Sequence, residues 1–333
     1  MNYDLPSIAK PMMIGTRGSP LALAQAYETR ERLSKAFELP LEAFTIVVIK
    51  TTGDKVLDRP LKEIGGKGLF TREIEDDMLS GKIDIAVHSM KDVTVRLPAG
   101  LAVPVVCARA DARDALVSSR FASLDALPAG ARVGTCSLRR QCQLAAARPE
   151  VRLVNLRGSV HTRLAKLDAG AYDAIVLAAA GLRRLDLSHR IAQVLDPALC
   201  LPAVGQGVVG IECREDDWRI RALLAPLNDA PAQLAVRAER AVNRILDGGC
   251  HAPLACHAEL QGGALRLRAL VGTLDGARLL RSDHTGPAGA PEALGETVAG
   301  ELIDKGALEI IAPFGHTQGA RRGRSRKAGE HGR

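Results

Sequence analysis

An apolar run that ends on an ionisable tip is the first clear pattern in the chain. It reads Ile83-Asp84-Ile85-Ala86-Val87-His88-Ser89-Met90-Lys91-Asp92, which is typical of a short strand that stops on polar residues. In an open α/β sheet, ligands bind beyond the carboxyl ends of the strands. Asp92 is therefore a candidate catalytic carboxylate. The alternative is that it only caps a helix or ends a turn.

The pattern that precedes this tip alternates between strand and helix periodicities. It predicts strands over residues 12–16 and 44–49, a helix that begins at Pro20 with Ser19 as its N-cap, and a helix over residues 71–79. This β-α-β-α-β order favours a parallel, doubly wound α/β domain.

The same order begins again after a crossing segment at residues 98–114. Ser137 is expected to cap the first helix of this second unit. Strands are predicted over residues 131–135, 151–156 and 172–178, and helices over residues 138–147 and 160–167. Two α/β domains of similar design imply a cleft between them.

The last third of the chain has a different pattern. A strand over residues 208–213, a helix over 218–224 and a long helix over 232–246 lead to a glycine stop. Three strands and a helix are then predicted over residues 254–260, 265–271, 277–282 and 291–305. Because short glycine-containing turns join these strands, we expect a small antiparallel α+β third domain.

Composition and charge are those of an ordinary globular protein. The 333 residues suggest two or three domains, and the aromatic content of 3% leaves few side chains on which nucleobases could stack. Six basic residues and one acidic residue within 321–333 contribute +5 of the net charge of +7, so the basic character belongs to the tail. We expect residues 316–333 to be disordered and no nucleic acid to bind. DNA binding through this tail is the alternative, which deletion of residues 318–333 would test.

No segment predicts membrane insertion. Residues 1–10 lack a basic start followed by a long apolar run, and no later apolar stretch is long enough for a membrane span. A cytoplasmic location is therefore expected. The seven cysteines are an odd number without framework spacing, which predicts free thiols in a reducing compartment.

Basic side chains recur where the predicted strands end and the next helices begin. They are Arg17, Lys91, Arg139, Arg140, Arg157, Arg163, Arg183 and Arg184. Arg139 and Arg140 stand in a first helical turn, where the macrodipole opposes cations by about 0.3–1 kcal/mol. A solvated surface would explain any single arginine, but the repetition predicts a ligand with several carboxylates or phosphates. Since Gly65-Gly66-Lys67-Gly68 lacks the spacing of a Walker loop, carboxylates are favoured.

Cys250 follows two glycines on a turn that no core position requires. Such a thiol is accessible, and it could be a nucleophile or an attachment point. A zinc site with His251, Cys256 and His257 is an alternative, although structural zinc usually uses closer cysteine pairs from two separated halves. A buried filler role is the third possibility.

Seven motifs in chain order resemble those of one known family. They are Ile14-Gly15-Thr16-Arg17-Gly18-Ser19-Pro20-Leu21-Ala22-Leu23, Gly65-Gly66-Lys67-Gly68-Leu69-Phe70, Val87-His88-Ser89-Met90-Lys91-Asp92-Val93, Gly134-Thr135-Cys136-Ser137-Leu138-Arg139-Arg140-Gln141, Leu156-Arg157-Gly158, Leu201-Pro202-Ala203-Val204-Gly205-Gln206-Gly207 and Gly248-Gly249-Cys250. Over nearly the whole chain, the sequence resembles the porphobilinogen deaminase family, also called hydroxymethylbilane synthases.

The resemblance implies a transferase of tetrapyrrole and haem biosynthesis. Such an enzyme joins four porphobilinogen molecules head to tail, releases ammonia at each step, and frees hydroxymethylbilane by hydrolysis. The chain grows on a dipyrromethane cofactor, and the thioether that holds this cofactor maps onto Cys250. Loss of ammonia leaves a cationic azafulvene, and Asp92 matches the catalytic carboxylate that stabilises it.

The resemblance also assigns binding roles to the basic residues and their neighbours. The cofactor-binding residues implied are Lys91, Thr135, Ser137, Arg139, Arg140, Arg163, Arg184 and Gln206. The substrate-binding residues implied are Arg17, Ser19, Arg157, Arg163 and Arg184. No metal is implied, and the partner is the small-molecule substrate porphobilinogen.

The fold implied has two domains like those of periplasmic binding proteins, a third domain that carries the cysteine, and a monomeric state. The domains implied comprise residues 1–107 with 208–225, residues 112–201 and residues 230–315. Departures from the family pattern occur at Glu63, Thr94, Cys136, Ser159, His161 and Cys256-His257, and none removes an assigned catalytic group. A non-catalytic binder of a polycarboxylate on the same scaffold is the rival hypothesis.

Overall fold

The computed structural model describes residues 4–52, 71–248 and 252–314. Cys250, His251, Glu63, the glycine-rich motif at residues 65–70 and the tail at 316–333 lie outside the described residues.

The first sheet contains five strands in the order β2-β1-β3-β10-β4. These strands are β1 (Met12–Arg17), β2 (Phe44–Ile49), β3 (Ile85–Ser89), β4 (Leu101–Val106) and β10 (Val209–Arg214). Strand β1 is parallel to β2 and β3, whereas β10 is antiparallel to both of its neighbours. Helices α1 (Pro20–Phe37), α2 (Arg72–Leu79) and α6 (Trp218–Leu224) belong to this layer.

The second sheet repeats this arrangement in the order β7-β6-β8-β5-β9. Its strands are β5 (Asp114–Val117), β6 (Arg132–Gly134), β7 (Arg152–Val154), β8 (Ala174–Ala178) and β9 (Ile191–Val194). Strand β6 is parallel to β7 and β8, and β5 is antiparallel to β8 and β9. Helices α3 (Leu138–Ala147), α4 (Val160–Asp168) and α5 (Ala179–Arg184) follow β6, β7 and β8.

The third unit is antiparallel, as the sequence predicts. Strands β11 (Leu254–Gln261), β12 (Ala264–Gly272) and β13 (Leu279–Pro287) form a meander that packs against α7 (Ala230–Leu246), α8 (Pro291–Asp304) and α9 (Ala307–Ile311). Gly262 and Gly263 both adopt positive φ in the predicted turn between β11 and β12.

The structure corrects the sequence-based expectation in the segment at 98–114. The pattern predicts a crossing there, but β4 lies within the segment and β5 begins at its end. Both sheets are mixed instead of wholly parallel, because β10 and β5 run antiparallel to their neighbours. Pro104 gives the segment its irregular pattern, yet β4 is an edge strand, where the missing N–H of proline is tolerated.

Two predicted helix caps are confirmed. Ser19 Oγ accepts a hydrogen bond from the backbone N–H of Ala22 (3.3 Å), and Ser137 Oγ accepts one from that of Arg140 (3.4 Å). Because these caps satisfy orphan N–H groups within three residues, local sequence alone is sufficient to specify them.

Each sheet has a buried core of its own. Representative fully buried members are Ile14, Leu33 and Ile211 for the first, Leu116, Leu144 and Val176 for the second, and Val242, Leu267 and Val298 for the third.

The chain crosses from the first sheet to the second after β4 and returns before β10, and these two crossing segments lie side by side. The backbone N–H of Ala110 donates to Gly207 O (2.9 Å). Gly207 has φ +84°, and a Cβ there would lie 2.7 Å from Ala110 O; Gly205 has φ +68°, and a Cβ there would lie 2.8 Å from Met90 Cβ. These two glycines let the return crossing pass close to the turn that carries Asp92.

Candidate active site

Asp92 lies in a pocket at the carboxyl edge of the first sheet. Strand β3 ends at Ser89, and a 3₁₀ turn, Met90–Asp92, follows it. The pocket has an empty volume of about 440 Å³, including space open to solvent. Asp92 lines it together with Arg17 and Ser19, which lie where β1 ends and α1 begins. The structure therefore brings these three candidate residues together.

Lys91 is half-buried beside this pocket and faces the second sheet. Burial lowers the pKa of its ammonium group to about 8, and the neighbouring Asp92 carboxylate opposes the decrease. The charges of Arg139, Arg140 and Asp114 also act on it, so Lys91 lies within electrostatic reach of the second domain.

Arg139 and Arg140 are bound to a buried carboxylate that the sequence analysis missed. Their exposed fractions are 4% and 5%, and Asp114, at the start of β5, is fully buried. Arg139 Nη1 lies 2.7 Å from Asp114 Oδ2, and Arg140 Nη2 lies 2.8 Å from Asp114 Oδ1. Burial alone would raise the pKa of Asp114, but the two guanidinium groups hold it well below its ordinary value.

Gln206 completes this buried cluster from the return crossing. Its Nε2 donates to Ala112 O (2.6 Å) and to Asp114 Oδ1 (2.9 Å). Because both partners are acceptors, the amide orientation is determined. Among the described residues, Gln206 Oε1 and Arg140 Nε are buried and have no hydrogen-bond partner. One acceptor and one cationic donor thus remain available at this point of the cleft.

Arg163 connects the second domain with Asp92. Its Nε donates to Gly158 O (2.8 Å) at the turn that precedes α4. Burial lowers the pKa of Arg163; the nearby Arg140 and Arg157 act in the same direction, and Asp92 acts against it. Three arginines and one carboxylate therefore lie within reach of one another's charge.

The remaining candidates have local or interdomain partners. Arg184 Nε lies 2.8 Å from Glu28 Oε2, so this arginine bridges α5 to α1. Thr135 is buried, and its Oγ1 accepts from the backbone N–H of Ser137 (3.2 Å). The structure places Thr135 and Ser137 at the beginning of α3, next to Arg139.

His88 and Glu212 are two further residues to which the sequence analysis gave no role. His88 lines the same pocket as Asp92, and its Nε2 lies 2.9 Å from Oε2 of the fully buried Glu212. Each of them interrupts an otherwise apolar strand, and a charged residue within a buried strand is the signal that could have revealed them.

Cys256 and His257 face opposite sides of β11. Cys256 is buried in the core of the third unit, and burial raises the pKa of its thiol well above the ordinary value. His257 Nδ1 lies 3.6 Å from Glu239 and 3.3 Å from Arg109 Nη1. Within residues 4–52, 71–248 and 252–314, no group of side chains is suited to hold a metal ion. No helix in those ranges is long and apolar enough to cross a membrane.

Solved structures of low sequence identity resemble this chain. A periplasmic substrate-binding protein of an ABC transporter from Coxiella burnetii is 14% identical, with a TM-score of 0.41 over 69% of this chain and 96% of that chain. The BvgS VFT2 domain of Bordetella pertussis is also 14% identical, with a TM-score of 0.38 over 64% of this chain and 84% of that chain. Overlap of this extent carries no argument about function.

Family models give a specific match. The model described as porphobilinogen deaminase, dipyromethane cofactor binding domain, matches residues 12–222. The model described as porphobilinogen deaminase, C-terminal domain, matches residues 233–304. Because these two matches span most of the chain, the protein belongs to the porphobilinogen deaminase family.

Proposed function

We propose that this porphobilinogen deaminase joins its four substrate molecules in the pocket beside Asp92 and releases hydroxymethylbilane from it. The observation that carries the proposal is the environment of Asp92. This carboxylate shares a pocket with Arg17, follows Lys91 on the same turn and acts on the charge of Arg163 in the second domain. An acid with several basic side chains nearby suits a substrate that carries carboxylates and develops positive charge when it reacts.

Asp92 is the catalytic residue in this proposal. Its carboxylate accepts a hydrogen bond from a pyrrole N–H, and it stabilises the positive charge that builds up on the ring as the bond between carbon and the amine breaks. Its place on a tight turn after a buried strand holds the carboxylate where that charge forms, which reduces the reorganisation the reaction requires.

The arginines hold the acetate and propionate groups of the pyrroles. Arg17 with Ser19, and Arg157 with Arg163, contact substrate carboxylates from the two sides of the cleft. Arg184 joins them when it exchanges Glu28 for a ligand carboxylate. Planar guanidinium groups suit this task because each can donate two parallel hydrogen bonds to one carboxylate.

The described residues fit a dipyrromethane cofactor, which supplies the pyrrole onto which the first substrate is joined. Arg140 Nε is a buried donor without a partner among the described residues, and a carboxylate would satisfy it. Gln206 Oε1 is a buried acceptor in the same situation, and a pyrrole N–H would satisfy it. Lys91 and Arg139 add positive charge, Thr135 and Ser137 hold the start of α3, and Cys250 provides the thioether.

We also propose the domain division that the sequence suggested. Residues 1–107 with 208–225, residues 112–201 and residues 230–315 form three domains of a monomer, and residues 316–333 form a basic tail. The position of β10 between β3 and β4 supports the discontinuous first domain, and the separate buried cores support the division as a whole.

An assay on the full chain tests the proposed function. Purified protein should consume porphobilinogen, release ammonia and form a linear tetrapyrrole. Acid treatment with Ehrlich reagent should give a pink colour, because the protein carries pyrroles. A protein that binds porphobilinogen without turnover and gives no colour would support the rival hypothesis of a polycarboxylate binder.

Intact mass locates the cofactor. The mass of the purified chain should exceed the value calculated from its sequence by one dipyrromethane, and Cys250→Ser should lack that excess. Cys256→Ser is the matched control and should retain it. Retention of the excess in Cys250→Ser would move the attachment point elsewhere.

A further inference from the structure

His88 is a pocket residue whose surroundings differ from those of the arginines. It lies on β3 one residue before Ser89, and its ring lines the pocket that also contains Asp92. Glu212 lies opposite Ala86 in the register of β10 and β3. Since alternate residues of a strand face the same side, Glu212 and His88 share one face of the sheet, where Glu212 Oε2 lies 2.9 Å from His88 Nε2.

This hydrogen bond selects one tautomer of the imidazole. A carboxylate can only accept, so Nε2 carries the hydrogen and Nδ1 keeps its lone pair. Among the described residues, no hydrogen bond reaches Nδ1. The ring therefore keeps a basic nitrogen, and a carboxylate on its other side holds the ring in orientation.

The space behind Glu212 contains a second carboxyl group. Glu75, from the first turn of α2, is buried; burial raises its pKa, and the nearby Glu212 carboxylate adds to the increase. In the described part of the chain, Glu75 Oε1 and Glu212 Oε1 are buried without hydrogen-bond partners, and Thr71 acts against the increase in the pKa of Glu75. Two buried carboxyl groups and an imidazole therefore lie close together on this side of the sheet.

We propose that His88 accepts the proton that the growing pyrrole chain loses in each condensation, and that Glu212 positions it. This inference rests on the proposed function. The chemistry requires such a base, because Asp92 is engaged at the pyrrole nitrogen while a proton leaves the adjacent carbon.

The proposed step transfers one proton from the pyrrole α-carbon to ammonia through His88. The substrate amine leaves as ammonia from its ammonium form, and the new carbon–carbon bond forms at the free α-carbon of the terminal pyrrole. The C–H bond at that carbon then breaks, its electron pair returns to the ring, and the proton goes to His88 Nδ1. The imidazolium passes this proton to the released ammonia, which departs as ammonium, so His88 is ready for the next substrate.

The test uses porphobilinogen that carries deuterium at its free α-carbon. In His88→Gln, which can still donate a hydrogen bond to Glu212, we expect kcat to fall about 10²-fold or more with little change in KM. A primary deuterium isotope effect on kcat should appear in this variant, because removal of the α-proton becomes rate-limiting. Asp92→Asn should lose activity without gaining that isotope effect.

A histidine outside the pocket provides the control. His189→Gln changes an exposed histidine of the second domain and should behave as wild type. If His88→Gln matches His189→Gln in kcat and isotope effect, the proposal is overturned. If His88→Gln fails to fold by circular dichroism, Glu212→Gln takes its place; it should show a smaller loss with the same isotope effect, and a normal rate there would also overturn the proposal. Absence of turnover in the wild type would instead refute the proposed function.

Discussion

The two α/β domains have the same strand order, and each places a buried acid on its fourth strand. In the first domain this strand is β10 with Glu212, and in the second it is β5 with Asp114. Both strands are antiparallel to the third strand of their sheet. Equivalent scaffolds thus hold two carboxyl groups that are both fully buried.

These two acids have different hydrogen-bond partners: guanidinium and amide groups for one, and an imidazole for the other. Asp114 is bound by Arg139, Arg140 and Gln206, and its pKa is held well below the ordinary value. Glu212 is bound by His88, and one of its oxygens has no hydrogen-bond partner in the described part of the chain. The first arrangement surrounds an acid with permanent positive charges, whereas the second pairs an acid with an imidazole.

The helices that face the two acids explain this difference. Helix α3 begins with two arginines and no acid, although its macrodipole disfavours cations there. Helix α2 carries Glu73 and Glu75 in its first turn, where negative charge is favoured. Asp114 compensates the unfavourable placement of the arginines. In the function and the inference proposed above, the same fold supplies carboxylate binding on one side and proton transfer on the other.

Removal of the acid in the second domain should have the largest effect. Asp114→Asn leaves two buried guanidinium groups without their counter-charge, so we expect the free energy of unfolding to fall by about 3–5 kcal/mol. Urea denaturation of the wild type and the variant measures this free energy of unfolding. Asp283→Asn, which breaks the exposed pair with Arg266, is the matched control and should cost far less, because exposed ion pairs contribute little. Equal losses in the two variants would contradict the structural role of Asp114.

The acid of the pocket should show the reverse behaviour. Asp92→Asn is expected to keep the unfolding midpoint of the wild type and to lower turnover by about 10²-fold or more, the usual contribution of a positioned acid or base. Steady-state kinetics at saturating porphobilinogen, together with thermal unfolding, checks both parts. A turnover close to that of the wild type would reject the role of Asp92.

The two domains should also differ in how pH changes their stability. Glu75 has a raised pKa in the folded state, so its contribution is fully present below its ordinary pKa of 4.5 and is lost as the pH rises through the folded value. Relative to Glu75→Gln, the wild type should lose stability as the pH rises above 4.5, by at most about 1.4 kcal/mol per pH unit.

Asp114 has a lowered pKa, so its contribution is lost in the opposite direction, as the pH falls below its ordinary value of 3.8. For Glu75, the measurement is the urea midpoint of the wild type and of Glu75→Gln at a series of pH values above 4.5. Parallel curves for the two proteins would show that Glu75 does not titrate in the expected window.

The smallest effect is expected at the contact that joins the two domains outside the buried clusters. The pair between Arg184 and Glu28 is partly exposed and should contribute about 0.2–1 kcal/mol. If Arg184 must leave Glu28 to bind a carboxylate, Glu28→Gln should lower KM for porphobilinogen by about 1.4- to 5-fold, because the competing partner is gone. Arg184→Gln should raise KM. An increased KM in Glu28→Gln would indicate that this pair holds the productive conformation.

Local sequence predicted the features that depend on near neighbours. Ser19 and Ser137 cap their helices through groups three residues away, and the turn at Gly262-Gly263 requires a positive φ that glycine adopts easily. The family motifs placed Asp92 and Arg17 in one chemical unit, and the structure puts both into one pocket. Local sequence did not predict the strand that contains Pro104, because only the position of that strand at the sheet edge permits a proline there.

The tertiary structure alone decided which charges meet. Asp114 and Arg139 are 25 residues apart in the chain, and His88 and Glu212 are 124 apart. The sequence determined that acids and bases stand at strand ends and helix starts, since periodicity and capping act over a few residues. Which acid neutralises an arginine and which one orients a histidine depends on strand order, because β10 reaches β3 only after the chain has crossed to the second domain and returned.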